Sequence, residues 1–406
     1  MRDNSGRLDI IALEHEPIDK KSIEKGVVSN SSDVAYHIGS LVKKLTNRLA
    51  DSHNAEVDGI YIPVKAPLLY SKRYRIEKQY DTNTTITSNG LTALRQEAQS
   101  KRIEGKTIYS ITNEEYALDD DTIRNPENKS CKKIEANFLV SYASNNIRKG
   151  IDSYVDALSP SIKKCGETLA PTAIAQAVTT KEDRSAGCAV INFGATSTTV
   201  AVYQDGYLRN VASIPLGGNH ITADLTHLNL TINEAEQLKC KAGSPIAPTE
   251  DKQYKIGNRA GEVSKTINQS QISTIVRSRI EEIVLLCMNE IDRSGYIDRL
   301  EHGIIITGGG SLMNDITTYM EQLTNKAVRI GSYLPYLTDQ SAERFNETEH
   351  TLLIGTLLLA TEPCTHDKVV QQTPPPVEHK KEKEKKKKGS GFMDFFTGRN
   401  DSITDE

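Results

Sequence analysis

Two turns built of small residues stand at the ends of apolar runs. Cys188 to Phe193 reads as an apolar strand that runs into Gly194-Ala195-Thr196-Ser197. Thr199 to Tyr203 and Tyr207 to Ile214 read as the next two strands, joined by the hairpin turn Gln204-Asp205-Gly206. Far downstream, His302 to Ile306 reads as a buried strand that runs into Thr307-Gly308-Gly309-Gly310-Ser311. Small residues at such points let backbone N–H groups face an anion, or let the chain lie close against something flat. A turn of this kind alone is weak evidence, because most of them only close a hairpin. Gly217-Gly218 breaks the chain before a helix expected from His220 to His227. His220, Asp224 and His227 share one face of that helix, but no third histidine lies nearby and a metal site is not expected. Glu236 and Lys239 sit three apart on a further helix after Thr231, a spacing that also suits a plain surface ion pair.

These residues need a scaffold, and the composition allows one. The chain has 406 residues, enough for two or three domains. It carries 50 Lys+Arg against 54 Asp+Glu, a net charge of −4, which excludes a generally basic nucleic-acid binder. The longest nearly continuous apolar stretch, Leu352 to Ala360, is far short of the roughly 20 residues that a membrane-spanning helix needs. The six cysteines lie far apart with no Cys-x-x-Cys pair, and are read as free thiols of a reducing cytoplasm.

The elements that must hold the turns alternate in type. Leu8 to Leu13 reads as a strand, and Gly26 to Val28 as another. Asn30 or Ser31 caps a helix whose apolar positions Ile38, Leu41, Val42, Leu45 and Leu49 repeat at helical spacing. Val57 to Val64 reads as a buried strand. From about Ile76 to Ser144 a small α+β unit is expected, with a helix over Leu91 to Ile103 and strands over Lys106 to Ile111 and Lys133 to Val140. Gln271 to Ile291 is a long helix whose apolar face is Ile272, Val276, Ile280, Ile283, Cys287 and Ile291. Near the start, Asp3-Asn4-Ser5-Gly6 has hairpin-turn chemistry with only Met1 and Arg2 before it, so a strand is expected upstream.

The chain's end has a different character. Gln371-Gln372-Thr373-Pro374-Pro375-Pro376 reads as a linker, and Lys380 to Lys388 holds seven Lys and two Glu. Three of the six phenylalanines fall in the last 15 residues, within Phe392-Met393-Asp394-Phe395-Phe396. This combination suits a short amphipathic membrane anchor. Lys385, Lys386, Lys387 and Lys388 would meet anionic headgroups, while Phe392, Met393, Phe395 and Phe396 enter the interface.

Five segments carry a resemblance: Ile191-Asn-Phe-Gly-Ala-Thr-Ser-Thr-Thr199, Tyr207-Leu-Arg209, Ile214-Pro-Leu-Gly-Gly-Asn-His-Ile-Thr-Ala-Asp-Leu225, Arg279-Ile-Glu-Glu-Ile283 and Ile306-Thr-Gly-Gly-Gly-Ser311. Together they resemble the bacterial cell-division FtsA family of the actin/Hsp70/sugar-kinase superfamily, over nearly all of residues 8 to 361. The resemblance implies an α/β, two-lobed actin-like ATPase fold with an inserted α+β subdomain and a disordered C-terminal tail. The expected division is 1–75 and 145–186 for a first lobe incomplete at its start, 76–144 for the inserted subdomain, 187–365 for the second lobe, 366–388 for the linker and 389–406 for the membrane-targeting tail. It implies a protein that tethers FtsZ polymers to the cytoplasmic membrane through the FtsZ C-terminal tail, self-associates into actin-like filaments and recruits other division proteins. It also implies ATP with Mg²⁺ as cofactor. The nucleotide contacts implied are Asn192, Gly194, Ala195, Thr196, Ser197 and Thr198 on the phosphate side, Gly217 and Gly218, then Glu236 and Lys239 toward the ribose, and Gly308, Gly309, Gly310 and Ser311 beside the adenosine.

The sequence departs from the family pattern at four points. The opening strand with its first phosphate loop is not found. Asn192 stands where an acidic residue opens the second phosphate motif, and an amide cannot help hold a metal as a carboxylate does. Gly194-Ala195-Thr196-Ser197 replaces a run richer in glycine. Ala170 replaces a glutamate that is a candidate for positioning attacking water. Phosphoryl transfer depends on positioning and charge neutralisation, so weak or absent hydrolysis is expected, with nucleotide binding retained on the adenosine side. The alternatives are an active ATPase of the same superfamily with an incomplete start, or a related actin-like assembly protein such as one of pilus assembly.

Overall fold

The central sheet has five strands in the order Tyr207–Ile214, Thr198–Gln204, Cys188–Phe193, Ile304–Thr307, Val328–Ile330. The first three form an antiparallel meander, and the last two join it in parallel. The computed structural model describes residues 2–3, 5–19, 21–24, 26–257, 263–345 and 348–367. Both faces of this sheet are buried, which is why its middle strands read as continuous apolar runs. Successive side chains still point opposite ways. Ala189, Ile191, Phe193, Ile304 and Ile306 enter one core, and Val190 and Ile305 enter the other.

Helix Gln269–Arg293 covers the first of these faces. Its expected apolar positions Ile272, Val276, Ile280, Ile283, Cys287 and Ile291 are each at most 2% exposed. Each such side chain contributes roughly 1.5–3 kcal/mol relative to exposure, so this stripe decides where the helix lies. Helix Ala170–Val178 belongs to the opposite core and packs against helix Thr351–Leu359 at Gly355, where any side chain would run into the Ala173 carbonyl.

The same core continues to a parallel pair, Gly59–Val64 with Lys163–Leu169. Helix Ser31–His53 packs here too, capped by Asn30, whose side chain accepts from the Asp33 N–H. A second, antiparallel sheet has the order Tyr70–Thr85, Ser130–Ser144, Lys106–Leu118, Asp121–Ile123, with helix Ser88–Ser100 placing Leu94 and Ala98 on its core. The sixteen-residue strand Tyr70–Thr85 was not foreseen, because most of its side chains are polar and solvent-facing.

Leu8 to Leu13 does not form the expected strand. Its apolar alternation is real, but its backbone bonds go to a short helical segment rather than to a strand: Leu8 N donates to Tyr336 O at 2.8 Å, Thr338 N to Leu8 O at 2.9 Å, and Ile10 N to Ser341 Oγ at 2.8 Å. A ladder needs a strand alongside, and among the described residues only isolated bridges to Arg2 and Leu337 are found here. At the other end, Thr365–Asp367 pairs with Ala55–Val57, two residues beyond the expected limit of the body. The chain divides into one unit over Met1–Lys368 and a second over Val369–Glu406. The rest of the expected linker, and the whole expected tail with Lys385, Lys386, Lys387, Lys388, Phe392, Met393, Phe395 and Phe396, lie outside the described residues. No helix among the described residues is long and apolar enough to cross a membrane.

Candidate functional site

Both small-residue turns leave the same edge of the central sheet. Asn192 and Thr307 are register partners on adjacent parallel strands, so Gly194 and Gly309 follow side by side. A cavity of about 380 Å³ opens there. Its polar lining includes Gly194, Ala195, Gly218, Asn219, Glu236, Lys239, Gly309 and Gly310, and its apolar walls are Phe193, Ile221, Ile280, Ile283, Leu312 and Met313. A volume within about 300–1,000 Å³, mostly apolar with a few convergent polar groups, is typical of small-ligand sites.

The first turn is held from two sides. Gly194 N donates to Ser197 O at 3.1 Å, closing the turn. Gly218 N donates to Gly194 O at 2.9 Å, and Asn219 N to Ala195 O at 2.8 Å. These bonds clamp the turn onto the start of helix Gly218–Leu225. Gly217 is pressed so closely on the Gly194 and Ala195 carbonyls that it has no room for a side chain. The amides of Ala195 and Thr196 meet no protein acceptor among the described residues. Ser197 Oγ is buried and unpartnered among them as well. Thr198 is buried and donates through Oγ1 to Leu216 O at 2.8 Å, which fixes the strand rather than a ligand.

The glycine turn divides by function. Gly308 has φ +83°, and a Cβ there would lie 2.5 Å from Asn192 Oδ1. A Cβ on Gly310 would lie 2.6 Å from Phe193 Cβ. Both glycines are therefore explained by the packing of one turn on the neighbouring strand. Gly309 has nothing within 4 Å of such an atom and lines the cavity. Ser311 is buried, with Oγ donating to Gly308 O at 2.7 Å.

Glu236 and Lys239 lie on helix Ile232–Ala242, which opens with a capping box at Thr231. They are not a solvated surface pair, since the Lys239 side chain is only 13% exposed. Its Nζ donates to Glu236 Oε2 at 2.6 Å, Thr222 Oγ1 at 2.9 Å and Gly218 O at 3.2 Å. Thr222 also donates to Glu236 Oε2. Burial opposes ionisation of Glu236, but the bonds from Lys239 and Thr222 outweigh it and hold the carboxyl below its ordinary value. The side chain stays half exposed, with Oε1 turned toward Cys240 Sγ at 3.6 Å. Glu236 is the cavity's one carboxylate among the described residues.

Several expected residues do other work. Asn192 lies behind Gly308 rather than in the lining, and Thr196 is exposed outside it. Ala170 is buried in the first turn of its helix. His220 Nδ1 accepts the Gly217 N–H at 3.1 Å, and Asp224 takes a two-pronged pair from Arg279 at 2.7 and 2.9 Å. Among the described residues no group of three or more His, Cys, Asp or Glu is disposed to hold a metal ion.

The residues that sequence reading missed are the apolar walls and one cation. Ile280 and Ile283 were legible as a buried helix face, but nothing in their spacing says that they wall a cavity. Lys65, just after strand Gly59–Val64, carries no motif. Its Nζ lies 3.8 Å from where a Cβ on Gly194 would sit. The residue is exposed, yet enough protein surrounds it that loss of hydration pushes its ammonium below the ordinary lysine value. A cation standing in an open cleft accounts for both.

A mixed sheet with helices on both faces, bearing a pocket at the strand ends between two small-residue turns, defines an actin-like α/β protein. The structure of a PilM-PilN type IV pilus biogenesis complex shares this fold, with a TM-score of 0.59 and 14% identity over 87% of this chain and 92% of that one. Residues 189–353 match the family model described as cell division protein FtsA. The cell division protein FtsA of Porphyromonas gingivalis is 25% identical over 362 residues, 89% of this chain and 74% of the relative. That of Neisseria meningitidis is 31% identical over 196 residues, 46% and 47% of the two chains. The chain is thus similar to the FtsA family, over residues 189–353 by the family model and over most of its length by the relative from Porphyromonas gingivalis.

Proposed function

We propose that this protein is a membrane tether and scaffold of bacterial cell division, holding FtsZ polymers at the inner face of the cytoplasmic membrane and binding a nucleotide that it hydrolyses weakly or not at all. The observation that carries the nucleotide part is the cavity. Its apolar walls suit a purine, and the half-exposed carboxylate of Glu236 suits ribose hydroxyls. The Ala195 and Thr196 amides suit phosphate oxygens. ATP with Mg²⁺ would bring its own charge-neutralising metal. On the protein side, Glu236 is tied to Lys239 and Thr222, Asn192 is neutral, and Ala170 is inert. No cavity carboxylate is left to activate water, so slow turnover follows.

The tether part rests on the similarity to the FtsA family together with the terminal run of lysines and phenylalanines. Each lysine near an anionic surface contributes about 1 kcal/mol, and copies arrayed along an FtsZ polymer would add their affinities. Self-association into actin-like filaments would supply the same multivalency.

The test uses the purified full chain, FtsZ polymers and vesicles rich in anionic lipid. FtsZ should sediment with vesicles only when the chain is present. A version ending at residue 368 should lose vesicle binding while its midpoint of thermal unfolding stays within about 3 °C, because residues 1–368 form one compact unit. ATP should bind with phosphate release near background. FtsZ recruitment that is absent, or that survives loss of the tail, would sink the tether reading; rapid phosphate release would sink the low-turnover one.

A further inference from the structure

Two lysines stand at the glycines Gly194 and Gly218, and their charges are treated differently. Lys239 lies at Gly218 and is neutralised by Glu236 at 2.6 Å. Lys65 lies at Gly194, and among the described residues it makes no ion pair. The Ala195 and Thr196 amides, in the same turn, also lack protein acceptors among the described residues. An ammonium beside Gly194 and the two N–H groups that follow it in the chain thus have no protein anion to answer them. Surface lysines ordinarily swing into solvent; the Lys65 side chain instead lies back over the turn, with Nζ 3.8 Å from where a Cβ on Gly194 would sit. Unanswered positive charge in partly desolvated surroundings is the signature of an anion site.

The adjoining cavity narrows the class of anion. Its walls are apolar and it is large enough for more than an inorganic ion. We infer that Lys65 receives the terminal phosphate of a nucleoside di- or triphosphate whose base and sugar occupy this cavity. The inference rests on the nucleotide reading of the cavity and adds to it the cation that reads phosphate length. Lys65 lies on a different core from the cavity walls: Val64, beside it, belongs to the core of helix Ala170–Val178, whereas Ile280 and Ile283 belong to the other. A nucleotide gripped in this way would bridge the two halves of the body.

The experiment is calorimetric binding of adenosine, ADP, ATP and pyrophosphate to the full chain, as wild type, Lys65→Gln and Lys65→Arg. A charge-assisted hydrogen bond lost to a neutral side chain should weaken ADP and ATP about tenfold or more. Adenosine binding should be unchanged, and Lys65→Arg should restore most of the loss. If ADP binds equally well to wild type and Lys65→Gln, the Lys65 assignment is overturned and the nucleotide reading survives. If pyrophosphate binds in a Lys65-dependent way but adenosine does not bind, the anion site stands and the nucleotide reading falls. If wild type takes none of the four probes, both are overturned.

Discussion

Asp183 shows how much one buried carboxylate can organise. It caps its own helix by accepting from Thr180 N at 2.8 Å, and it meets His302 at 2.8 Å and Arg329 at 2.7 Å. Burial raises its pKa, but the Thr180 N–H, His302 and Arg329 more than reverse this and hold it at about 2, against 3.8 for the free group. A depressed acid stabilises the fold only while it is ionised. Its contribution is therefore complete above pH 3.8 and lost as the pH falls toward 2. Asp183→Asn should cost about 2 kcal/mol at neutral pH. In urea denaturation at pH 7, 5 and 3, the gap between wild type and variant should be constant down to pH 5 and clearly smaller at pH 3. A gap that widens in acid would show that the charge is not what stabilises.

At the scale of elements, the two turns differ in what their glycines are for. Gly310 gives way to Phe193, so Gly310→Ala must push the turn off the neighbouring strand. Overpacking of this sort costs about 1–3 kcal/mol. Gly309 has open space and no left-handed φ, so Gly309→Ala should leave stability within about 0.5 kcal/mol while placing a methyl group in the cavity. The pair of variants separates architecture from binding. Gly310→Ala should lower the urea midpoint, whereas Gly309→Ala should keep it and weaken ADP binding. If both variants lose stability alike, the division between the two glycines is wrong.

The whole molecule is joined by polar as well as apolar contacts. The four-stranded sheet over Tyr70 to Ser144 meets the central sheet at strand Tyr207–Ile214, and Arg209 is the pivot. Arg209 is 3% exposed. It pairs with Glu115 at 2.7 Å and Asp205 at 3.2 Å and lies over the rings of Tyr207 and Tyr296. Arg73 reaches across the same boundary to Arg209 O and Ser294 O. Arg209→Met would keep the stem but strip two carboxylates of their cation; because both retain solvent contact, the cost should be about 2 kcal/mol, below that of a fully buried pair. Limited proteolysis should then cut first between residues 70 and 144. Unchanged protease resistance would mean that the apolar contacts alone seat this sheet.

How much of this was legible in the chain depends on distance. The strands Cys188–Phe193 and Tyr207–Ile214, the helix Gln269–Arg293 and the turns between them were readable, because each is set by spacing, turn chemistry and caps within a few residues. Seven of the fourteen expected nucleotide contacts line the cavity, and all seven lie at glycine-containing turns or on the capped helix beside them. Leu8 to Leu13 misled because alternation reports an apolar face and says nothing of whether a ladder partner stands alongside. The apolar walls and Lys65 were out of reach for a related reason. Periodicity tells that Ile280 and Ile283 are buried but not against what, and an isolated lysine carries no pattern at all. Only the folding of strand Gly59–Val64 against the same core as the central sheet brings Lys65 to a turn 129 positions further on. Local order belongs to the residues in sequence; the meeting of charge, turn and cavity is long-range packing, which the tertiary structure alone decides.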